Sequence, residues 1–236
     1  MSCKTCPLDE GFWTDLIGNE KSEVILLRLF YSHSFRFGCL DKVLKLCPGS
    51  SSTAASFVLT LLEKYTLKEI LSIVANDFRP YAITPGDIPQ FSDLNDSIHK
   101  VPFVLMNSGL DSVSYEQMGY YLRTEKRSVL ADKKYGENHA KTSIQLGLCE
   151  LDNTRHKVQL SPLGKAFYEL SQERKKALIP KLCFYLPLLQ NYFLANRSEA
   201  LLDSWLSILS DSTKKRRRPN VNTLIDIIDR NLVDEL

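Results

Sequence analysis

The densest chemistry in the chain is cationic. Lys214, Lys215, Arg216, Arg217 and Arg218 stand in succession. Consecutive side chains fan around a helix, so roughly two or three of these cations would meet phosphates if the helix docks on a polyanion. Cations at a helix start oppose the macrodipole, and an anion is the natural counterpart there. Thr213 stands just before the run. A second polar set lies in ENHAKTSIQLG, where Asn138, Lys141, Thr142 and Gln145 fall on one helical face and Ala140 and Ile144 on another. Asn and Gln can pair bidentately with adenine, and Lys can reach guanine. His139, beside them, is a candidate phosphate contact. A third set, Arg155, His156 and Lys157, sits at a turn between two short strand-like runs, where cations would replace counterions on a duplex backbone. Lys126, Arg127, Lys133 and Lys134 add charge in the segment before the polar helix. Each set also has a plainer reading as a solvated face, and KKRRRP also fits a nuclear localisation signal.

Catalytic constellations are thin. Arg28-x4-His33 is similar in spacing to the Arg-x4–6-His motif of helical prokaryotic RNases of the HEPN class. A leucine follows the Arg here, where that motif often has a polar residue. Asp132-x-Lys134 is the nearest approach to a metal-dependent nuclease pattern, but its neighbours do not read as a strand. Cys3-x-x-Cys6 could pair with Cys39 and Cys47 around a metal, yet those two are eight apart in a helical pattern rather than a second tight pair. HExxH, GxSxG and a phosphate-cradling Gly loop are all missing from the sequence. The expectation is therefore a protein without a catalytic centre, cofactor or metal.

The bulk numbers agree with that. At 236 residues, 44% hydrophobic, the chain can bury a real core. Its net charge is only +2, so any binding to a polyanion must come from local patches. The N-terminus MSCKTCPLDE carries no apolar signal region, and no apolar run reaches the length of a membrane span. Six cysteines, several in apolar contexts such as KLCFYL, suit a reducing cytoplasm.

These residues need elements to hold them. Val24–Tyr31 is a dense apolar run, helix or buried strand. Leu40, Val43, Leu44 and Cys47 recur at helical spacing, as do Phe57, Val58, Leu61, Leu62 and Tyr65 behind a Ser-rich cap, and Ile70, Leu71 and Val74 continue that stripe. Pro80, Pro85-Gly86 and Pro89 place a boundary near residue 85. Beyond it come a helix through Leu94, Ile98, Val101 and Leu105 with a kink at Pro102, and a short helix YEQMGYYLR capped by Ser114 with Gln117. A polar connection TEKRSVLADKKYG leads to the helix ENHAKTSIQL, closed by Gly147. A hairpin around 152–155 comes next, and after it a long helix PLGKAFYELSQERKKAL capped by Ser161. From Pro187, EALLDSWLSIL leads through a tight turn to a helix with Val221, Leu224, Ile225 and Ile228 as its apolar stripe.

Helix, helix, helix, hairpin is the order of a winged helix-turn-helix, and LSPLGKAF resembles the segment just after the wing in many such proteins. Ser210-x-Ser212-Thr213-x-x-Arg216-Arg217 followed by Val221 resembles a segment of winged-helix modules in prokaryotic restriction-modification and defence proteins, where it serves as a DNA-facing helix. Those modules usually carry Trp where this chain has Leu224, and lack Pro219. The fold expected is mainly α: a helical part over 1–85, a winged helix-turn-helix with a small β-hairpin wing over 90–172, and a helix-turn-helix-like unit over 173–236. The function expected is non-enzymatic duplex-DNA binding as a recognition or regulatory component of a restriction or defence system, with a nuclease or other protein subunit as a further partner. The alternatives are a helical protein-interaction subunit and a nuclease. The expected contacts are Asn138, His139, Lys141, Thr142, Gln145, Arg155, Lys157, Thr213, Lys214, Arg216 and Arg217.

Overall fold

The computed structural model of the chain describes residues 20–33, 53–76, 78–123, 125, 128–152, 154 and 156–234. The chain divides into two units, Met1–Phe78 and Arg79–Leu236.

In the first unit the apolar run is a helix, α1 (Glu20–Tyr31). Next is α2 (Ala54–Lys64), whose N-cap Thr53 accepts a hydrogen bond from the Ser56 amide at 3.1 Å. The stripe does not run on unbroken, because Thr66 starts a new helix, α3 (Leu67–Ala75). Thr66 and Glu69 form a reciprocal capping box there, satisfying two amides at the helix start. Leu26, Leu27, Tyr31, Leu59, Leu62, Leu67 and Ile70 are fully buried, each such side chain contributing about 1.5–3 kcal/mol. Glu23 on α1 accepts from Lys64 Nζ at 2.6 Å and from the Tyr65 hydroxyl at 2.8 Å, fixing the register of α1 on α2. The helix expected around Leu40–Cys47 lies outside the described residues.

The second unit opens with an irregular stretch containing a 3-10 turn (Pro85–Asp87) and a single π turn (Asp96–Lys100) that runs into α4 (Val101–Asn107). Helical backbone runs without a break from Leu94 to Asn107, and Pro102 follows the π turn within it, where its missing amide removes one rung of the ladder. Gly109, at φ +68°, turns the chain away. Strand β1 (Val113–Ser114) leads to α5 (Tyr115–Leu122), and Ser114 and Gln117 form the expected capping box. Next, α6 runs over Val129–Gln145. It starts earlier than the polarity of the sequence suggests, because Ser128 caps it by accepting from the Ala131 amide at 3.3 Å. The supposed connection is therefore largely helix. Gly147, at φ +76°, ends it.

Strands β2 (Cys149–Leu151) and β3 (Lys157–Leu160) form the hairpin, and β3 also pairs with β1. The sheet is antiparallel in the order β1-β3-β2, with Val158 opposite both Val113 and Leu151. Val101, Leu105, Val113, Met118, Leu122, Ala140, Val158 and Leu160 make one buried cluster under it.

The helix after the hairpin divides in two. Ser161 caps α7 (Pro162–Tyr168) and Ser171 caps α8 (Gln172–Phe184). Then come α9 (Pro187–Leu194), α10 (Glu199–Leu206) and α11 (Asp211–Asp234). The stripe Val221, Leu224, Ile225 and Ile228 is buried, and α11 packs against α8. Residues 90–172 and 173–236 thus lie in one unit. Because α11 begins at Asp211, Pro219 is interior to it and removes one rung of its hydrogen-bond ladder. Among the described residues no helix is long and apolar enough to cross a membrane.

Candidate nucleic-acid interface

Helices α5 and α6 cross at two glycines. A Cβ at Gly119 would overlap the backbone carbonyl of Asp132, and one at Gly136 would overlap that of Tyr115 and the amide nitrogen of Gly119. The two backbones touch, and this contact decides which face of α6 is left for solvent. Lys133, Lys134 and Lys141 point outward and Asn138 is half-buried. Glu137 accepts from Lys141 at 2.6 Å and Lys134 at 3.2 Å. Burial alone would raise its carboxyl, but those two hydrogen bonds outweigh burial and hold it below its ordinary value. Three lysines against one glutamate leave this face positive, and Lys133 has no acid partner among the described residues.

Of the other expected contacts on α6, His139 and Thr142 are buried and Gln145 is half-buried, and all three are engaged within the fold. His139 is fully buried: its Nδ1 lies 3.0 Å from the Ser97 hydroxyl and its Nε2 3.0 Å from that of Ser92. Burial pushes its pKa down, against the opposing pull of Asp96 and Asp93. Thr142, also fully buried, donates to the Gln90 carbonyl at 3.2 Å, and Gln145 donates to the Gly86 carbonyl. Thr142 and Gln145 thus hold the 85–91 segment, and His139 holds the residues just after it, Ser92 and Ser97. A polar helical face satisfies base edges and backbone carbonyls alike, so residue type alone could not separate the two.

The same segment takes one of the five clustered cations. Arg217 donates to the carbonyls of Pro85 at 2.7 Å and Ile88 at 2.9 Å, and to Gln90 Oε1 at 3.1 Å. Lys214 pairs with Asp203 at 3.3 Å, and Arg218 bridges Asp203 at 2.6 Å and Glu199. Thr213 is half-buried and accepts from the Ser210 hydroxyl at 2.9 Å. Only Lys215 and Arg216 of the cluster are exposed, and no acid among the described residues lies within ion-pair distance of either. Arg217 is lowered chiefly by burial, then by the charge of Arg216, while Glu137 opposes both. Arg217 on α11 and Gln145 on α6 thus meet the same 85–91 segment.

At the hairpin, Asp152 accepts from the amides of His156 and Lys157 at 3.2 Å each and from the Thr154 hydroxyl at 2.8 Å. This folds the tip and leaves Lys157 exposed at the start of β3. Arg155, Lys126 and Arg127 lie outside the described residues, as do Cys3, Cys6, Cys39 and Cys47.

Arg28 Nε donates to the Ile73 carbonyl at 3.0 Å, tying α1 to α3, while His33 sits past the end of α1 at φ +57°. Asp132 is buried in α6 and faces Arg123 at 3.4 Å, while Lys134 turns outward to Glu137. Among the described residues no group of three His, Cys, Asp or Glu side chains could hold a metal ion. Burial pushes the thiols of Cys149 and Cys183 up to about 12, so neither is a nucleophile at neutral pH. A cleft lined by Phe103, Phe167, Tyr168 and Lys175 was not foreseen, and its residues show no motif spacing in the sequence.

No family model, curated protein or solved structure matches the chain.

Proposed function

We propose that the second unit is a winged helix-turn-helix that binds duplex DNA without cleaving it. The observation that carries this reading is the helix–strand–helix–helix–strand–strand order with sheet order β1-β3-β2, together with exposed cations on the third helix. In this reading α6 presents Lys133, Lys134, Asn138 and Lys141, the hairpin presents Lys157, and α11 adds Lys215 and Arg216. These residues supply phosphate contacts, and Asn138 and Lys141 are the side chains available for base edges. Val129 and Leu130, exposed by 62% and 76% in the first turn of α6, are apolar groups of the kind that meet thymine methyls. The likeness of the 210–217 segment to restriction and defence modules supports such a setting and a separate catalytic partner.

The test is anisotropy of a labelled duplex across a salt series. If about four phosphates are neutralised, log K should fall against log[salt] with a slope near −4, and the double change Lys133→Ala, Lys134→Ala should make it about two units shallower. Absence of binding at low salt sinks the proposal.

A second reading, a protein-interaction subunit, rests on the exposed Tyr120, Tyr121, Val129 and Leu130, which flank the α5–α6 connection. Substituting Tyr120 and Tyr121 by Ser should then abolish partner capture and leave salt-dependent DNA affinity unchanged.

A further inference from the structure

Between α4 and the α7–α8 pair lies an open cleft of about 360 Å³, at the small end of ligand-site volumes. Its walls combine apolar side chains, Ile98, Pro102, Phe103 and Phe167, with polar ones, Gln172 among them. Phe167 is buried at its base, with His99 stacked on it at 6.4 Å, and Phe103 stands at the rim, 55% exposed. Lys175 enters from α8. That residue is only 8% exposed, its ammonium sits 5.1 Å over the Tyr168 ring, and no carboxylate among the described residues lies within ion-pair distance of it. The neighbouring Lys100 is different, since its charge is committed to Asp96 at 2.7 Å.

A lysine whose stem is buried and whose ammonium has no carboxylate beside it keeps its charge available to a ligand, and the cation–π contact offsets only part of the cost of its burial. Burial lowers Lys175, and burial and then the charge of Lys175 lower His99. The cleft thus holds one uncommitted positive charge, beside a neutral imidazole and aromatic walls.

We propose that this cleft binds a small amphipathic monoanion, an aryl or alkyl carboxylate, with its carboxylate on Lys175 and its apolar body between Phe103 and Phe167. One cation matches one carboxylate. Phe103 and Phe167 give an aryl or alkyl body contacts that inorganic phosphate lacks. The lysine face of α6 is a convex surface for a polyanion, and the cleft uses none of its residues, so this inference stands apart from the DNA reading.

The test is amide chemical-shift mapping on the full chain, with benzoate, benzamide and inorganic phosphate as probes. Benzoate should give saturable shifts centred on Phe103, Gln172 and Lys175. Benzamide, of the same shape but uncharged, should bind about tenfold more weakly or worse, since it forfeits a charge-assisted contact. Lys175→Met keeps the apolar stem and should lose benzoate binding, Lys175→Arg should retain it, and Phe103→Ala, a rim change that spares the core, should weaken it. Equal binding of benzamide, equal binding of phosphate, or no saturable shift at millimolar benzoate would each overturn the proposal.

Discussion

Arg217 and Gln90 are 127 residues apart in sequence, and the Arg217 Nε donates to the Gln90 side chain at 3.1 Å while the same guanidinium caps the carbonyls of Pro85 and Ile88. Asn220, also on α11, donates to the carbonyl of Phe91, and from the other side Thr142 and Gln145 on α6 donate to the carbonyls of Gln90 and Gly86. The 85–91 segment is a strap between α6 and α11. It has too little regular structure to satisfy its own carbonyls, so side chains do so.

Arg217 and Arg216 should therefore separate stability from binding. Arg217→Gln loses three charge-assisted hydrogen bonds in a half-buried position, a cost of about 2–4 kcal/mol. Arg216→Gln removes an exposed cation with no acid partner among the described residues, and should leave stability unchanged within about 0.5 kcal/mol. On DNA the order reverses: Arg216→Gln should make the salt slope shallower by about one unit. Thermal melts and salt-series binding on both variants decide it. Equal stability of the two would mean that the strap does not depend on Arg217.

The crossing of α5 and α6 should be intolerant of a single methyl. Gly119→Ala or Gly136→Ala places a Cβ on a backbone carbonyl of the other helix, and backbone cannot rotate away as a side chain would. Alanine gains about 1 kcal/mol of helix propensity. Forcing two packed helices apart typically costs more than that, so a net loss of about 2 kcal/mol is expected for either change. Gly86→Ala is the control, since its Cβ would meet only the Thr84 hydroxyl at 3.5 Å. Denaturant midpoints measure all three, and an unaffected Gly136→Ala would show that the helices can separate freely.

Legibility in the sequence followed locality. Caps are local, and Ser114 with Gln117, Ser161 and Gly147 all stand where side-chain type and spacing put them. The buried stripe of α11 is likewise a periodicity that one element carries alone. The start of α6 was hidden because ADKK reads as polar linker. What makes it helix is Ser128 at its cap and a glycine crossing with another element. The same limit applies to the candidate site. His139, Thr142 and Gln145 have residue types suited to DNA, but their partners are Ser92, Ser97 and the 85–91 strap, some fifty residues earlier in sequence. The clustered cations could not be sorted from sequence either, because their partners Asp203 and Glu199 lie on α10.

The buried histidine makes acid sensitivity a further expectation. His139 is held between two serine hydroxyls, with the Tyr135 ring at 4.4 Å, and its pKa lies below the ordinary value because burial disfavours the imidazolium. Unfolding releases it to an ordinary value near 6.5. Above that pH both states are neutral and its contribution to stability is complete. As pH falls through about 6.5 the unfolded chain takes a proton that the folded chain refuses, so stability declines until the lower folded value is reached. His99, lowered by burial and by Lys175, adds to the same loss. Asp96 and Glu137, both held below their ordinary values, contribute only at more acidic pH. The urea midpoint should therefore drop between pH 7.5 and pH 5, by an amount set at about 1.4 kcal/mol per unit of His139 shift. His139→Gln keeps a donor and an acceptor for the two serines. It should be less stable at pH 7.5 but lose less on acidification than the parent chain, with the remaining slope carried by His99. A parent midpoint that stays flat across that interval would show that His139 accepts its proton without disturbing the fold.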